Sequence, residues 1–282
     1  MILVTGATGN VGRHVVSQLL DAGAAVRALT RDPASARLPG GAEVVRGDLG
    51  DPGSLDAALE GVASVFLVWP TLSADRAAPA VVEAIAKRAG HVVYVSANGT
   101  SADQEGVPGS ILGSHAFLER LIEESGARWT LLRPSGFATN TLLWAPRIRA
   151  TGVVRGAHGK AARSLIHERD IAAVGVRALT EDGHAGLRYV LTGPETVTMA
   201  EQVTLIGEAV GRPARWEELT RREAHREMVA EGWPASTAEE VLDAHAAMAA
   251  SPEPVTSTVR DVLGRPAATF RQWAVDHAAD FR

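Results

Sequence analysis

Gly6, Gly9 and Gly12 recur at a spacing of three in the segment Thr5-Gly6-Ala7-Thr8-Gly9-Asn10-Val11-Gly12, directly after the apolar run Met1–Val4. Glycine at the first position permits a sharp exit from a strand. At the second it leaves the backbone bare, and at the third it lets a following helix lie close to the strand. The first-turn amides of that helix lack intrahelical acceptors and carry partial positive charge, which suits a pyrophosphate. The pattern lies in a strand–turn–helix unit followed by a second strand, and so points to a dinucleotide. Gly6, Thr8, Gly9, Asn10, Val11 and Gly12 form its expected cradle.

The end of the second strand selects the dinucleotide. An acid there would accept from a ribose 2′-hydroxyl, but this chain reads Arg27-Ala28-Leu29-Thr30-Arg31-Asp32. The Arg31 guanidinium suits a 2′-phosphate through charge-assisted, fork-shaped hydrogen bonds, so NADP(H) is expected in preference to NAD(H). The other reading is that Arg31 projects into solvent while Asp32 caps the next turn. Asp48 and Leu49, after the third strand, have the placement of an adenine-contacting turn; Asp48 equally reads as a loop aspartate that caps its own turn.

The scarce residue types exclude other chemistry. The chain has no cysteine, which removes thiol nucleophiles, disulfides and zinc ribbons. Its two tyrosines are Tyr94 and Tyr189, and its two lysines are Lys87 and Lys160. A Tyr-x-x-x-Lys pair needs lysine at 98 or 193, where Asn98 and Gly193 stand. No residue is assigned to a metal, since the histidines show no ligand spacing. Asp170 in His167-Glu168-Arg169-Asp170 is expected to cap a helix. A net charge of −5 with scattered arginines gives no footprint for nucleic acid. No stretch approaches the roughly 20 apolar residues of a membrane span, and the N-terminus has no basic leader; a soluble cytoplasmic protein is expected.

These residues must be held by elements. Short β-branched runs at 1–5, 25–30, 43–46, 62–68, 91–96 and 129–132 alternate with helical patterns at 10–22, 52–59, 74–89 and 113–125. Continuous apolar strands between amphipathic helices predict a doubly wound α/β fold, a parallel Rossmann sheet covered on both faces. After Arg133-Pro134 the rhythm becomes irregular. Residues 1–150 are read as the dinucleotide domain and 151–282 as a smaller α-rich substrate region, with a strand at 187–191 returning to the first sheet. Thr198 and Glu201 have capping-box spacing for a helix to 210. Tyr94 falls in the fifth strand and Tyr189 in the returning one, so both are read as structural.

The chain resembles the NmrA-like branch of the atypical short-chain dehydrogenase/reductases. The matching pieces are TGATGNVG at 5–12, RALTRDP at 27–33, GDLGDPGSL at 47–55, HAFLERLIEESGARWTLLRPSGF at 115–137, RDIAA at 169–173 and the terminal GRPAATFRQWAVDHAADF. The branch includes NADPH-dependent quinone reductases, dye and isoflavone-type reductases, and cofactor-sensing regulators. The resemblance implies that the usual catalytic tyrosine and lysine positions fall at Ile111 and His115. Isoleucine moves no proton, whereas His115 can donate to a cofactor ribose and titrates near neutrality. Glu119, one turn on, is expected to orient His115. Ligands of open parallel sheets bind beyond the carboxyl ends of the strands. That rule adds Val68, Trp69 and Pro70, then Ser96, then Pro134, Gly136 and Phe137, and the resemblance places the last loop beside the nicotinamide. Trp69 is a candidate for stacking on substrate or for simple packing. Asn140, Trp144 and Trp233 are candidate pocket residues.

Without the tyrosine–lysine pair, the acceptors served are those whose reduction leaves a stabilised anion, or cations that a hydride neutralises. An NADPH-dependent reductase of a planar conjugated small molecule, a quinone or aromatic natural product, is therefore expected, as monomer or homodimer. The alternative is a non-catalytic NADP(H)-sensing regulator. A nucleotide-sugar epimerase is the weaker third reading, because Ile111 supplies no base.

Overall fold

The structure is a computed structural model that describes residues 1–69, 76–105 and 110–282. In the first 134 residues it contains strands β1 (Ile2–Val4), β2 (Val26–Thr30), β3 (Glu43–Arg46), β4 (Ser64–Val68), β5 (His91–Val95) and β6 (Arg128–Pro134). Helices α1 (Asn10–Asp21), α2 (Ala78–Ala86) and α3 (Ile111–Glu124) lie between them. The expected helix over 52–59 is a single 3-10 turn, Pro52–Leu55, because Pro52 and Gly53 leave too few residues to propagate an α-helix.

The sheet order is β3-β2-β1-β4-β5-β6, with Leu187–Leu191 as seventh strand beyond β6, and every pairing is parallel. The order reverses between β1 and β4, where a doubly wound sheet opens its ligand crevice. Alternation along the strands divides the core between two faces. Leu3, Val65, Leu67, Val92, Tyr94 and Leu131 join Val81, Val82 and Ile85 of α2 and Leu118 and Ile122 of α3 in one buried cluster. On the other face the helix Glu168–Thr180 comes so close that a Cβ on Gly175 would lie 2.4 Å from Phe66. That helix begins two residues before Asp170. Asp170 is therefore not its cap but a buried first-turn acid, paired with Arg265 at 2.8 Å, where the helix dipole still favours it.

Two compact units account for the chain. One comprises 1–134, 168–191 and 258–265; the other comprises 135–167, 192–257 and 266–282. This differs from a single cut at 150, because the sheet takes back the helix Glu168–Thr180 and the strand Leu187–Leu191 while the segment after Pro134 leaves it.

The second unit is helical with two small sheets that the sequence reading did not anticipate. Val153–Gly156 pairs in parallel with Arg215–Glu218, and Ala162–Arg163 pairs antiparallel with Val197–Thr198. Its core centres on the fully buried Trp273, stacked on Phe270 at 5.2 Å and met edge-on by Phe281. The helix Met199–Val210 opens with the expected reciprocal Thr198–Glu201 cap. The helices Arg221–Ala230 and Ala235–Ala250 cover a smaller cluster of Ala157, Leu219, Ala224, Leu242 and Met228.

Candidate functional site

The glycine turn has the geometry of a phosphate cradle. Gly6 adopts φ +58°, a left-handed conformation that favours glycine, and its carbonyl accepts from Gly9 N–H at 2.9 Å. A Cβ on Gly12 would stand 2.1 Å from the Gly6 oxygen, so α1 reaches this depth only with glycine there. Gly9 precedes the helix in an extended conformation, and no side chain caps α1 or places an acid in its first turn. Among the described residues the amides of Asn10, Val11 and Gly12 meet no acceptor. Thr8 is exposed beside them. Arg13, which the sequence reading passed over, folds back to the rim, donating to the Gly9 carbonyl at 3.2 Å and to Asn10 Oδ1 at 2.9 Å. An α1 arginine facing backward along its helix is the signal that was available.

Arg31, at the end of β2, is exposed and makes no hydrogen bond or ion pair among the described residues. Asp32 accepts from Ala34 N–H at 3.1 Å and caps the turn Pro33–Ser35, which leaves the guanidinium to other partners. Asp48 Oδ1 accepts from Gly50 N–H at 2.8 Å, closing its own turn, while Leu49 is buried in the core. At the end of β4, Val68 N–H donates to Thr5 Oγ1 and Thr5 returns a bond to the Val68 carbonyl. Trp69 packs against the core cluster of the α2–α3 face. Pro70 lies outside the described residues. Ser96 is buried, with its amide on the Leu132 carbonyl at 2.7 Å.

His115 sits on α3 with its Nδ1 2.6 Å from the Tyr94 hydroxyl. Burial, with Glu119 adding to it, holds the Tyr94 phenol well above its ordinary range, so it keeps its proton. Among the described residues His115 is the hydroxyl's sole hydrogen-bond partner. The protonated phenol is therefore assigned as the donor to Nδ1, which puts the ring's own proton on Nε2. Burial also lowers the His115 pKa, opposed by Glu119, so the ring is neutral near pH 7. Glu119 does not orient it. Both carboxylate oxygens are held by Arg133, at 2.9 and 2.5 Å, because the bidentate guanidinium on β6 outcompetes a neutral ring. Tyr94 takes the orienting place instead. Ile111, at the tyrosine position, is half-exposed at the start of α3.

The second unit contains a cavity of about 390 Å³ whose lining includes Phe137, Asn140, Trp144, Trp216, Met228 and Trp233. Trp144 meets Trp216 edge-on, with ring centroids 6.1 Å apart. Trp216 is held in a fitted slot. A Cβ on Gly156 would lie 2.6 Å from its Cη2 and one on Gly159 2.5 Å from its Nε1. The indole N–H donates to Glu218 at 2.7 Å, and Glu218 also accepts from the amides of His158 and Gly159. The segment after Pro134 forms part of the same wall: Gly136 lies under Arg163 and Leu165, and its carbonyl accepts from Ile166 N–H.

A family model described as NAD(P)H-binding matches residues 6–182. The chain belongs to that family. It is 41% identical over its whole length to a (4-alkanoyl-5-oxo-2,5-dihydrofuran-3-yl)methyl phosphate reductase of Streptomyces griseus, covering 99% of that protein. It is 38% identical, again over its whole length, to an NAD(P)H azoreductase of Xenophilus azovorans, with 99% of the relative covered. Among solved structures, the NADPH complex of the quinone oxidoreductase QOR2 from Escherichia coli superposes with a TM-score of 0.79 at 25% identity, covering 98% of this chain and 99% of that one. The resemblance to the atypical short-chain dehydrogenase/reductases therefore holds, and the chain is an oxidoreductase of the NAD(P)H-dependent reductase type. The Gly6–Gly12 cradle, with open amides and no room for a Cβ, fits the family's dinucleotide. No helix among the described residues is long and apolar enough to cross a membrane.

Proposed function

We propose that the protein is an NADPH-dependent reductase of planar, conjugated small molecules, with the cofactor in the first unit and the acceptor in the cavity of the second. The observation that carries this reading is that cavity, about 390 Å³ with Trp144 and Trp216 in its wall and Trp216 fixed by Glu218. Rigid indoles present large flat apolar area to a flat ligand at little entropic cost. The acceptors in the relatives' names, an azo compound, a quinone and a butenolide whose ring alkene is conjugated to carbonyls, share an electron-poor π system.

When bound, the nicotinamide supplies the hydride. The chain's residues bind, orient and select. The first-turn amides of Asn10, Val11 and Gly12 hold the pyrophosphate, and Arg31 holds the 2′-phosphate. Val68, Ser96 and the Pro134–Phe137 segment border the bound cofactor. His115 acts as a neutral hydrogen-bond donor through Nε2, toward the cofactor ribose. Its lowered pKa leaves its protonated form scarce at pH 7, so the proton that completes reduction comes from water.

The test is acceptor-dependent NADPH oxidation, followed at 340 nm, across quinones, azo dyes and alkanoyl butenolides. Turnover with at least one class is expected. Binding of NADPH with no turnover on any class would refute the reductase reading in favour of a sensor. Arg31→Ala should raise the NADPH Kd about 10- to 100-fold, the worth of a charge-assisted phosphate contact, and leave NADH within about twofold. Equal losses for both cofactors would sink the NADPH preference.

A further inference from the structure

The arginines of the second-unit cavity differ in how far their hydrogen-bonding capacity is met. Arg147 pairs with Glu231, and Arg155 pairs with Glu217 at 2.8 Å and Glu227 at 2.5 Å. Among the described residues Arg163 has one side-chain bond, from Nη2 to Glu253 at 3.0 Å, and its Nε–H is buried without an acceptor. The side chain is held in place by the antiparallel pair Arg163–Val197 and by the Gly136 backbone, where a Cβ would lie 2.6 Å from the guanidinium carbon.

His245, from the helix Ala235–Ala250, lines the same cavity and makes no hydrogen bond among the described residues. Burial lowers its pKa first, and Arg163 and His158 lower it further; Arg163 and His245 both line the cavity. Among the described residues His158 Nε2 is buried without a partner as well. The Glu253 carboxylate answers with Oε1, and its Oε2 is buried with no partner among the described residues. Buried donors without acceptors are rare in folded proteins, and the Arg163 N–H, on a side chain that lines a cavity beside His245, marks a place for an oxygen-bearing ligand.

We infer that Arg163 and His245 form a subsite for an anionic oxygen group of the acceptor, a phosphate monoester or a carboxylate. This rests on reading the cavity as the acceptor's place. The indoles would hold the conjugated ring and Arg163 its charged substituent, so that the acceptor's orientation is set by two unlike contacts.

The test is titration calorimetry of the full chain saturated with NADP⁺, which keeps phosphate probes out of the cofactor cradle. Phenyl phosphate, benzoate and neutral benzamide serve as probes. At least one anion should bind about tenfold or more tighter than benzamide, as expected of a charge-assisted contact. Phenyl phosphate ahead of benzoate assigns a phosphate monoester; the reverse order assigns a carboxylate. In Arg163→Gln and in His245→Gln the ratio of anion to benzamide affinity should fall toward one, and in Glu253→Gln it should widen because the competing carboxylate is gone. A ratio near one in the unmodified chain, or a ratio that survives in both Arg163→Gln and His245→Gln, overturns the proposal. Should Arg163→Gln fail to fold, His245→Gln on the outer helix carries the test alone. Binding requires no turnover. A chain that shows the Arg163-dependent preference yet reduces nothing would keep the subsite and lose the reductase reading.

Discussion

Tyr94→Phe isolates the contact that orients His115. The substitution keeps the ring that fills the α2–α3 face and deletes only the hydroxyl, so no cavity is made. What is lost is one bond of 2.6 Å between the buried Tyr94 and the half-buried His115, and Nδ1 is left without a donor. A neutral hydrogen bond is worth about 1 kcal/mol net, and a stranded buried acceptor costs about 1–3 kcal/mol. Urea unfolding should therefore show a loss of about 1–3 kcal/mol. In His115→Ala the partner is already absent, so adding Tyr94→Phe should cost little; the double-mutant cycle should return most of that energy as coupling. The ring's tautomer is the second readout. In the unmodified protein, ¹⁵N spectra should show His115 protonated on Nε2. In Tyr94→Phe both tautomers become accessible, and kcat should fall about two- to fivefold as the donor form is diluted. A proton found on Nδ1 in the unmodified protein, or coupling near zero in the cycle, would refute the assignment of Tyr94 as donor.

Other residues carry independent tests. Gly12→Ala sets a methyl 2.1 Å from the Gly6 oxygen, which no rotamer relieves; stability should drop by about 1–3 kcal/mol and NADPH affinity by about 100-fold or more, and a Kd within twofold of normal would contradict the cradle. His91, buried against Thr130, is pushed down to about 4 by burial and by the charges of Arg128 and His184. The unfolded chain protonates this ring from its ordinary 6.5 downward while the folded one stays neutral, so stability present above pH 6.5 is lost as pH falls, about 2 kcal/mol by pH 5. Denaturation of His91→Asn at pH 7.5 and 5 should show a correspondingly smaller difference, and an unchanged one would assign the loss elsewhere. Gly156→Ala drives a methyl to 2.6 Å from Trp216 and must tilt the indole; KM for flat acceptors should rise severalfold with NADPH affinity held, and equal effects on both would argue that Trp216 is merely structural.

The first unit was legible because its physics is local. Strands buried on both faces read as unbroken apolar runs, and Gly12 is demanded by a contact with Gly6 only six residues away. The second unit was not legible, and for the opposite reason. Val153–Gly156 and Ala162–Arg163 are two to four residues long, rich in Arg, Gly and Ala, and exist because segments at 215–218 and 197–198 complete them. Trp144 and Trp233 were named as pocket residues from their type alone, whereas Trp216 was missed. Its signal was the pair Gly156 and Gly159, spaced to leave room for a ring that arrives sixty residues later. Tyr94 shows the same limit within the legible half. Alternation along β5 assigns it to the face of Leu3 and Leu131, which is also the face that α3 covers, so its burial was readable and was read as structural. Its meeting with His115 depends on where α3 lies along the sheet, and no periodicity encodes that. The orienting residue was therefore sought by helical spacing, which favoured Glu119, when the sheet beneath the helix supplied it. Here, where α3 lies against the sheet, the partner of His115 sits across the interface on β5 and not along its own helix.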